Sequence, residues 1–335
     1  MPYEQQPSSE PMPAWAAWGM SMLNGLVGDY LHERQNGLAI AMAFYHQNRP
    51  LPLVRDSLQH AHPHLGPKVC ILIHGLGCNE GIWTFRDPMH PGPDTSYGAL
   101  LQTDLGYTPL YVRYNTGLPV ADNGKRLVTL LDDLLACYPT HVDDIVLIGH
   151  SMGGLIVRSA CHQGTQRQSA WVQQVRRVFY LGTPHDGADL ERLVHIATTV
   201  LQAVPNPITR LIGDILNRRS QGVKDLRFGT LLEPDVMDDT PAGTAQHHRR
   251  AVPWLAHAQH YLIGGTLTDD PGHAAAVLLG DGLVGVPRAH EPSPLADHGP
   301  PIPPENVRLF PGTHHLRLAH DREVYQQIKA WCASA

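Results

Sequence analysis

The sequence lacks the marks of several large classes of protein. Its 335 residues carry a formal net charge of −6 and no long basic run, so no nucleic-acid partner is expected. Its apolar stretches are broken by polar residues well short of the roughly 20 that a membrane-spanning helix needs, so no transmembrane segment is expected. The opening MPYEQQPSSEPMP is acidic and proline-rich, without the basic start and apolar centre of a signal peptide, which makes the cytoplasm the expected location. Cysteine is scarce. The five, at 70, 78, 137, 161 and 332, form an odd count without CxxC spacing, which implies no disulfide framework and suits reduced, buried thiols. The glycine-rich HGLGCNEG, residues 74 to 81, has neither a Walker lysine nor GxGxxG spacing, so it is not a phosphate cradle. No cofactor is expected.

What is present is organised around IVLIGHSMGG, residues 145 to 154, in which an apolar strand-like run enters G-x-S-x-G. A serine hydroxyl is a weak nucleophile and needs presentation on a sharp turn within reach of a base. Gly149 and Gly153 permit that turn and a close approach of the following helix, and the Met152 amide would point at a developing oxyanion. LIVRSACHQG continues with helical spacing at Leu155, Ile156 and Ala160.

The rest of the chain gives this motif its context. With 42% hydrophobic residues it can bury a large core, as one α/β domain with an insertion or as two domains. Strands are predicted at 69–73, 108–115, 145–149, 175–181 and 260–267, the last strand lies in NVRLF, and a closing amphipathic helix begins near Asp321. Between the second and third of these strands, Leu127, Leu130, Leu131, Leu134 and Leu135 form the apolar face of a helix that Asp122 or Asn123 can cap. Such alternation of strand and helix means a parallel sheet with helices on both faces, and the serine then stands at the carboxyl end of a strand. Two helical stripes, over 190–204 and 208–216, suit either a cap over the sheet's active edge or helices that complete the core.

Three further features stand out. Residues 15–31 read as a helix, with a second short helix expected around Leu38 to Tyr45; this arm suits packing on the main domain, and a homodimer contact through it stays open. His60, His62 and His64 alternate in HAHPH and would share a face if extended, but no carboxylate or cysteine nearby completes a metal site. Asp281 lies in a GDGLV turn suited to a triad acid, and the pair His314–His315 lies between the last strand and the last helix.

With these residues in place the chain resembles the serine α/β-hydrolases, and within them bacterial lipases and esterases, including the triacylglycerol lipase and GPI inositol-deacylase-like branches. The matching stretches are IHGLG, GHSMGG, LGTPHDG, GDGLVGV and HHLRLAHDREVYQQIKAW, spread from 73 to 331. The resemblance implies an α/β-hydrolase fold, a mostly parallel central sheet flanked by helices, to which the stripes over 190–216 and the helix over 15–31 add an expected helical cap insertion and N-terminal helical arm. The division it suggests is 1–66 for the lead and arm and 67–335 for the hydrolase domain, with the cap over 187–258. It makes Ser151 the nucleophile, Asp281 the acid and His315 the base, with Leu76 and Met152 supplying the oxyanion-hole amides. Asp186 is the alternative acid and His314 the alternative base. The order Ser, Asp, His agrees with this fold. Relatives with a structural Ca²⁺ carry an aspartate where this chain has Arg317, so no metal is expected. The implied activity is carboxylic ester hydrolysis through an acyl-enzyme, on a small-molecule or lipid ester with an apolar acyl group. An acyltransferase using the same triad, and a catalytically silent interaction module, are the alternatives.

Overall fold

The most apolar runs of the chain form the middle of one sheet. The computed structural model describes residues 12–87, 93–185, 220–228, 231–232, 252–266 and 302–334. Its main sheet has the order β10-β9-β8-β7-β3-β6-β1-β2. The strands are β1 (Ala43–His46), β2 (Arg49–Pro50), β3 (Lys68–Ile73), β6 (Thr108–Arg113), β7 (Asp144–His150), β8 (Val175–Leu181), β9 (Gln259–Gly265) and β10 (Val307–Phe310), while β4 (Thr84–Phe85) and β5 (Thr95–Ser96) pair separately. The run from β10 to β6 is parallel, and β1 and β2 add an antiparallel edge. Val69 to Ile73 and Ile145 to Ile148 are buried throughout, as continuous apolar runs must be when helices cover both faces of a sheet.

Helices α1 (Ala14–Glu33), α2 (Arg55–Ala61), α3 (Tyr97–Leu105), α4 (Val120–Cys137), α5 (Met152–Arg167), α6 (Gln221–Phe228) and α7 (Arg322–Ala333) accompany this sheet. The chain leaves β3 towards β6 and then returns past β3 to β7, so the strand order reverses between β3 and β7. Right-handed crossovers then put α3 on one face and α4 and α5 on the other. The contacts agree: α4 packs on α5, and α3 meets α7 through Tyr97 and Tyr325, whose ring centroids are 5.9 Å apart. Loops leaving the carboxyl ends of β3 and β7 diverge at the reversal and open a crevice, the position where open α/β sheets carry their sites.

The structure corrects two expectations. The short helix expected around Leu38 to Tyr45 does not form: residues 38–42 are turn and irregular backbone, and 43–46 form β1, because Phe44 is fully buried and Ala43, Phe44 and Tyr45 pair with Arg113, Val112 and Tyr111 along an open sheet edge. Helix α4 is capped by neither Asp122 nor Asn123. It starts at Val120, whose N–H donates to Oδ2 of Asp225 on α6 at 2.9 Å, while the Asn123 side chain donates to the Asn115 carbonyl at 2.9 Å. The cap comes from across the structure, where no local spacing records it. Helix α7 is capped as read, with Asp321 Oδ1 accepting from the Glu323 amide at 2.8 Å.

The N-terminal helix packs on its own domain. Asn24 donates to the Leu38 carbonyl at 2.8 Å, Asn115 donates to the Gly28 carbonyl at 2.8 Å, and Ser220 donates to the Gly25 carbonyl at 2.7 Å. The stripes at 190–204 and 208–216, most of the 187–258 cap and the GDGLV turn lie outside the described residues. No helix among the described residues is long and apolar enough to cross a membrane.

Replacing Asp225 with alanine removes a buried charged acceptor from the first turn of α4 and is expected to cost about 1–2 kcal/mol. A lower urea midpoint at an unchanged m value is the expected result; an unchanged midpoint would mean that the first turn does not depend on this carboxylate.

Candidate active site

The serine sits where two requirements meet, a strand that must end and a helix that must start at once. Ser151 adopts φ 54°, ψ −124° between β7 and α5, a left-handed conformation that non-glycine residues seldom occupy and that costs on the order of 1–3 kcal/mol. Its amide donates to the Leu181 carbonyl of β8 at 2.8 Å, and its carbonyl accepts from the Gly154 amide at 3.0 Å, so strand and helix both hold the turn. Gly153 makes the turn sterically possible: a Cβ there would lie 2.3 Å from the Ile73 carbonyl oxygen and 2.6 Å from that of His74. Helix α5 thereby starts against the end of β3. The first amides of a helix, Met152 among them here, lack acceptors within it, so this end of α5 favours negative charge.

The loop after β3 lies directly against this turn. A Cβ on Gly75 would stand 3.0 Å from the Ser151 Cβ. The loop is tied down residue by residue: the His74 carbonyl accepts from the Tyr114 hydroxyl at 2.7 Å, the Gly77 amide donates to Thr116 Oγ1 at 3.1 Å, and the Cys78 amide donates to the Gly75 carbonyl at 3.2 Å. With the Gly77 and Cys78 amides committed, no acceptor among the described residues meets the Leu76 amide. Leu76 thus lies in the loop that faces the serine, and Met152 opens the helix that follows it.

The histidine pair divides by burial. His315 is 5% exposed and opens a short 3-10 turn, His315–Ala319, whereas His314 is exposed. His150 Nε2 donates to the His315 carbonyl at 3.0 Å, and the two rings are 4.7 Å apart. The residue preceding Ser151 thus fastens the backbone of His315 beside the serine turn. The same segment is held at its far end, where the Tyr97 hydroxyl lies 2.9 Å from the Leu318 carbonyl and accepts the Asp321 amide at 2.8 Å. His320 adds a contact, Nδ1 to the Ile82 carbonyl, at 3.2 Å. Neither His150 nor Tyr97 was singled out for this task by the sequence. Tyr97 lies more than two hundred residues from its partners, and no local pattern marks it.

His185, at the exit of β8, is engaged elsewhere: its Nδ1 accepts from Arg158 at 3.1 Å, and the same guanidinium lies 4.1 Å over the Trp254 ring and donates to the Val252 carbonyl at 2.7 Å. Asp186 and Asp281, the two acids considered from the sequence, lie outside the described residues. Arg317 donates to Asp321 Oδ2 at 2.7 Å. The HAHPH run is not extended: His60 ends up on α2, and buried His62 packs edge-on against His46 at 5.2 Å. Among the described residues no three His, Cys, Asp or Glu side chains gather as metal ligands. All five cysteines are free thiols, four of them buried.

Several histidines around the site are held neutral. Burial pushes His74 down to about 3, with its Nδ1 donating to the Gly75 carbonyl at 2.9 Å. Burial, then the proximity of His315, holds His150 well below the ordinary histidine range. Held neutral, His150 carries its one proton on Nε2, the tautomer that the bond to the His315 carbonyl requires.

A doubly wound sheet with a strained serine turn at its reversal point, faced by a glycine loop and a buried histidine, defines the α/β-hydrolase class. A family model described as the alpha/beta hydrolase family matches residues 70–327, and the chain belongs to that family. This bears out the resemblance read from IHGLG and GHSMGG at family level, without singling out the GPI inositol-deacylase-like branch. Among solved structures, the chain is similar to a lipase–esterase related protein from Clostridium acetobutylicum, with 16% identity, 80% of this chain and 97% of that one covered and a TM-score of 0.40. A Pyrococcus furiosus esterase matches with 14% identity, 79% of each chain covered and a TM-score of 0.42. A thermophilic esterase from Thermogutta terrifontis matches with 15% identity, 80% and 90% covered and a TM-score of 0.38. At these scores the likenesses carry no argument about the reaction. No match was found among curated proteins.

Burial also lowers His62 and His260, each to about 4. These rings and His74 have folded pKa values below the unfolded value of 6.5, so as pH falls the unfolded chain takes up protons first. Stability is complete above about pH 6.5 and declines below it, by roughly 1.4 kcal/mol per pH unit for each such histidine, until the folded pKa is reached. Urea midpoints between about pH 7 and pH 5 are expected to fall less steeply in His260→Phe than in the native protein; equal slopes would contradict the assignment.

Proposed function

We propose that the protein is a serine carboxylic ester hydrolase of the esterase or lipase kind. The observation that carries this reading is Ser151, held at φ 54° on the turn between β7 and α5, with the Gly75 loop on one side and the buried His315 segment fastened beside it through His150. In the proposed reaction His315 takes the proton from Ser151 as the hydroxyl attacks an ester carbonyl, and the amides of Leu76 and Met152 hold the oxyanion. The alcohol leaves with the proton from His315. Water, deprotonated by the same histidine, then cleaves the acyl-enzyme, and the acid is released. Burial of His315 and exposure of His314 favour the former as base.

Asp281 is proposed to orient His315, on the strength of its GDGLV turn, with Asp186 as the alternative acid. The substrate class proposed is a small-molecule or lipid ester with an apolar acyl group. An acyltransferase would use the same residues and differ only in what intercepts the acyl-enzyme. The domain division proposed keeps 187–258 as a helical cap; residues ahead of 67 contribute an antiparallel edge to the sheet as well as the helical arm.

Hydrolysis of p-nitrophenyl esters from short to long acyl chains tests the reading. Ser151→Ala and His315→Ala are expected to lower kcat by at least about 1000-fold, His314→Ala by less than about 3-fold, and Asp281→Asn by an intermediate to large factor. Wild-type fluorophosphonate labelling that disappears in Ser151→Ala is the matching expectation. Folded wild-type protein that neither hydrolyses any ester nor takes the label would overturn the reading. Faster product formation with added alcohol, giving a new ester, would favour the acyltransferase.

A further inference from the structure

The loop proposed to carry one oxyanion amide is not held by its own strand alone. Thr116 is 1% exposed and lies just beyond the carboxyl end of β6, the strand next to β3. Its Oγ1 accepts the Gly77 amide at 3.1 Å, the residue after Leu76. Helix α1 closes over that pair. A Cβ placed on Gly25 would stand 3.1 Å from the Gly77 Cα, 3.2 Å from the Gly77 nitrogen and 3.2 Å from Thr116 Oγ1. The helix cannot slide away from this position freely, because the Gly25 carbonyl accepts from Ser220 at 2.7 Å and Asp29 Oδ2 accepts the Gln221 amide at 2.8 Å.

We infer that Thr116 and Gly25 are positioning residues for the oxyanion loop, and that α1 is a fixed wall of the active site. The inference rests on the ester-hydrolase reading above. Its physical basis is the orientation of one peptide plane after another. The amide at Leu76 stabilises a developing charge only while it points at it, and its direction is set by the neighbouring residue's hydrogen bond and by the helix behind it. Misalignment by a few tenths of an ångström affects the transition state, where charge is concentrated on the oxyanion, more than the bound ester. The signature is therefore a fall in kcat with KM held.

The two residues are tested by opposite manipulations. Thr116→Val removes the acceptor at nearly constant shape and is expected to lower kcat on the order of 10-fold and slow fluorophosphonate labelling of Ser151 by a similar factor; Thr116→Ser, which keeps the hydroxyl, is expected to restore kcat to within about 2-fold. Gly25→Ala keeps every hydrogen bond and favours the helix intrinsically, yet presses on Gly77. It is expected to lower kcat several-fold without lowering the melting temperature, a combination that a merely structural role would not produce. This second variant is read if Thr116→Val fails to fold. Native kcat in Gly25→Ala, or in folded Thr116→Val, alongside an inactive Ser151→Ala, would overturn the inference and leave the ester-hydrolase reading standing. A wild-type protein without esterase activity or label would overturn both.

Discussion

The backbone of α5 can begin where it does only because Gly153 lets it run against the carbonyl oxygens of Ile73 and His74. Any side chain there would collide with the end of β3, since the nearest oxygen is 2.3 Å from where its Cβ would be. Beside that close approach Ser151 takes a positive φ, and the chain turns from strand to helix within one residue. The same approach brings the loop after β3 alongside the serine. The strain is tolerated because the turn is held from both sides, by the Leu181 carbonyl and by the Gly154 amide.

Around this contact the structure converges three distant segments. The β3 loop is fixed by Tyr114 and Thr116 from the end of β6, the serine turn by β8, and the His315 segment by His150 and Tyr97. Each attachment is a hydrogen bond between buried groups, and each ties together pieces that separate elements supply. Such bonds add modestly to stability but are expensive to leave unmade in a dry interior, which makes the arrangement specific. The neutral state of His150 belongs to the same logic: its Nε2–H is needed as a donor to a carbonyl, and burial keeps the second proton off.

The helical arm takes on a different character in this setting. Read along the sequence it is an apolar helix with no chemistry of its own. In the structure it lies across the ends of β3 and β6, on the same rim as the serine, and reaches α6 through Ser220 and Gln221. Its glycines allow the backbone to approach the loops closely, which a helix of larger residues could not do.

By itself the sequence determined the parallel strands, the helices that follow β6, β7 and β10, the serine turn and the place of the histidine pair. These are local properties: continuous apolar runs, 3.6-residue spacing and glycines at a bend are written over ten or so residues. What only the tertiary structure decided is whatever depends on a partner far along the chain. Residues 43–46 became a strand because an open edge of β6 was available to pair with them. The first turn of α4 found its cap in Asp225, about a hundred residues away. The burial of His315 beside an exposed His314, the bonds of Tyr97 and the seat of α1 on Gly77 and Thr116 follow from where folding puts each backbone. Periodicity tells a residue which way it faces within its own element, but not which distant group it will face.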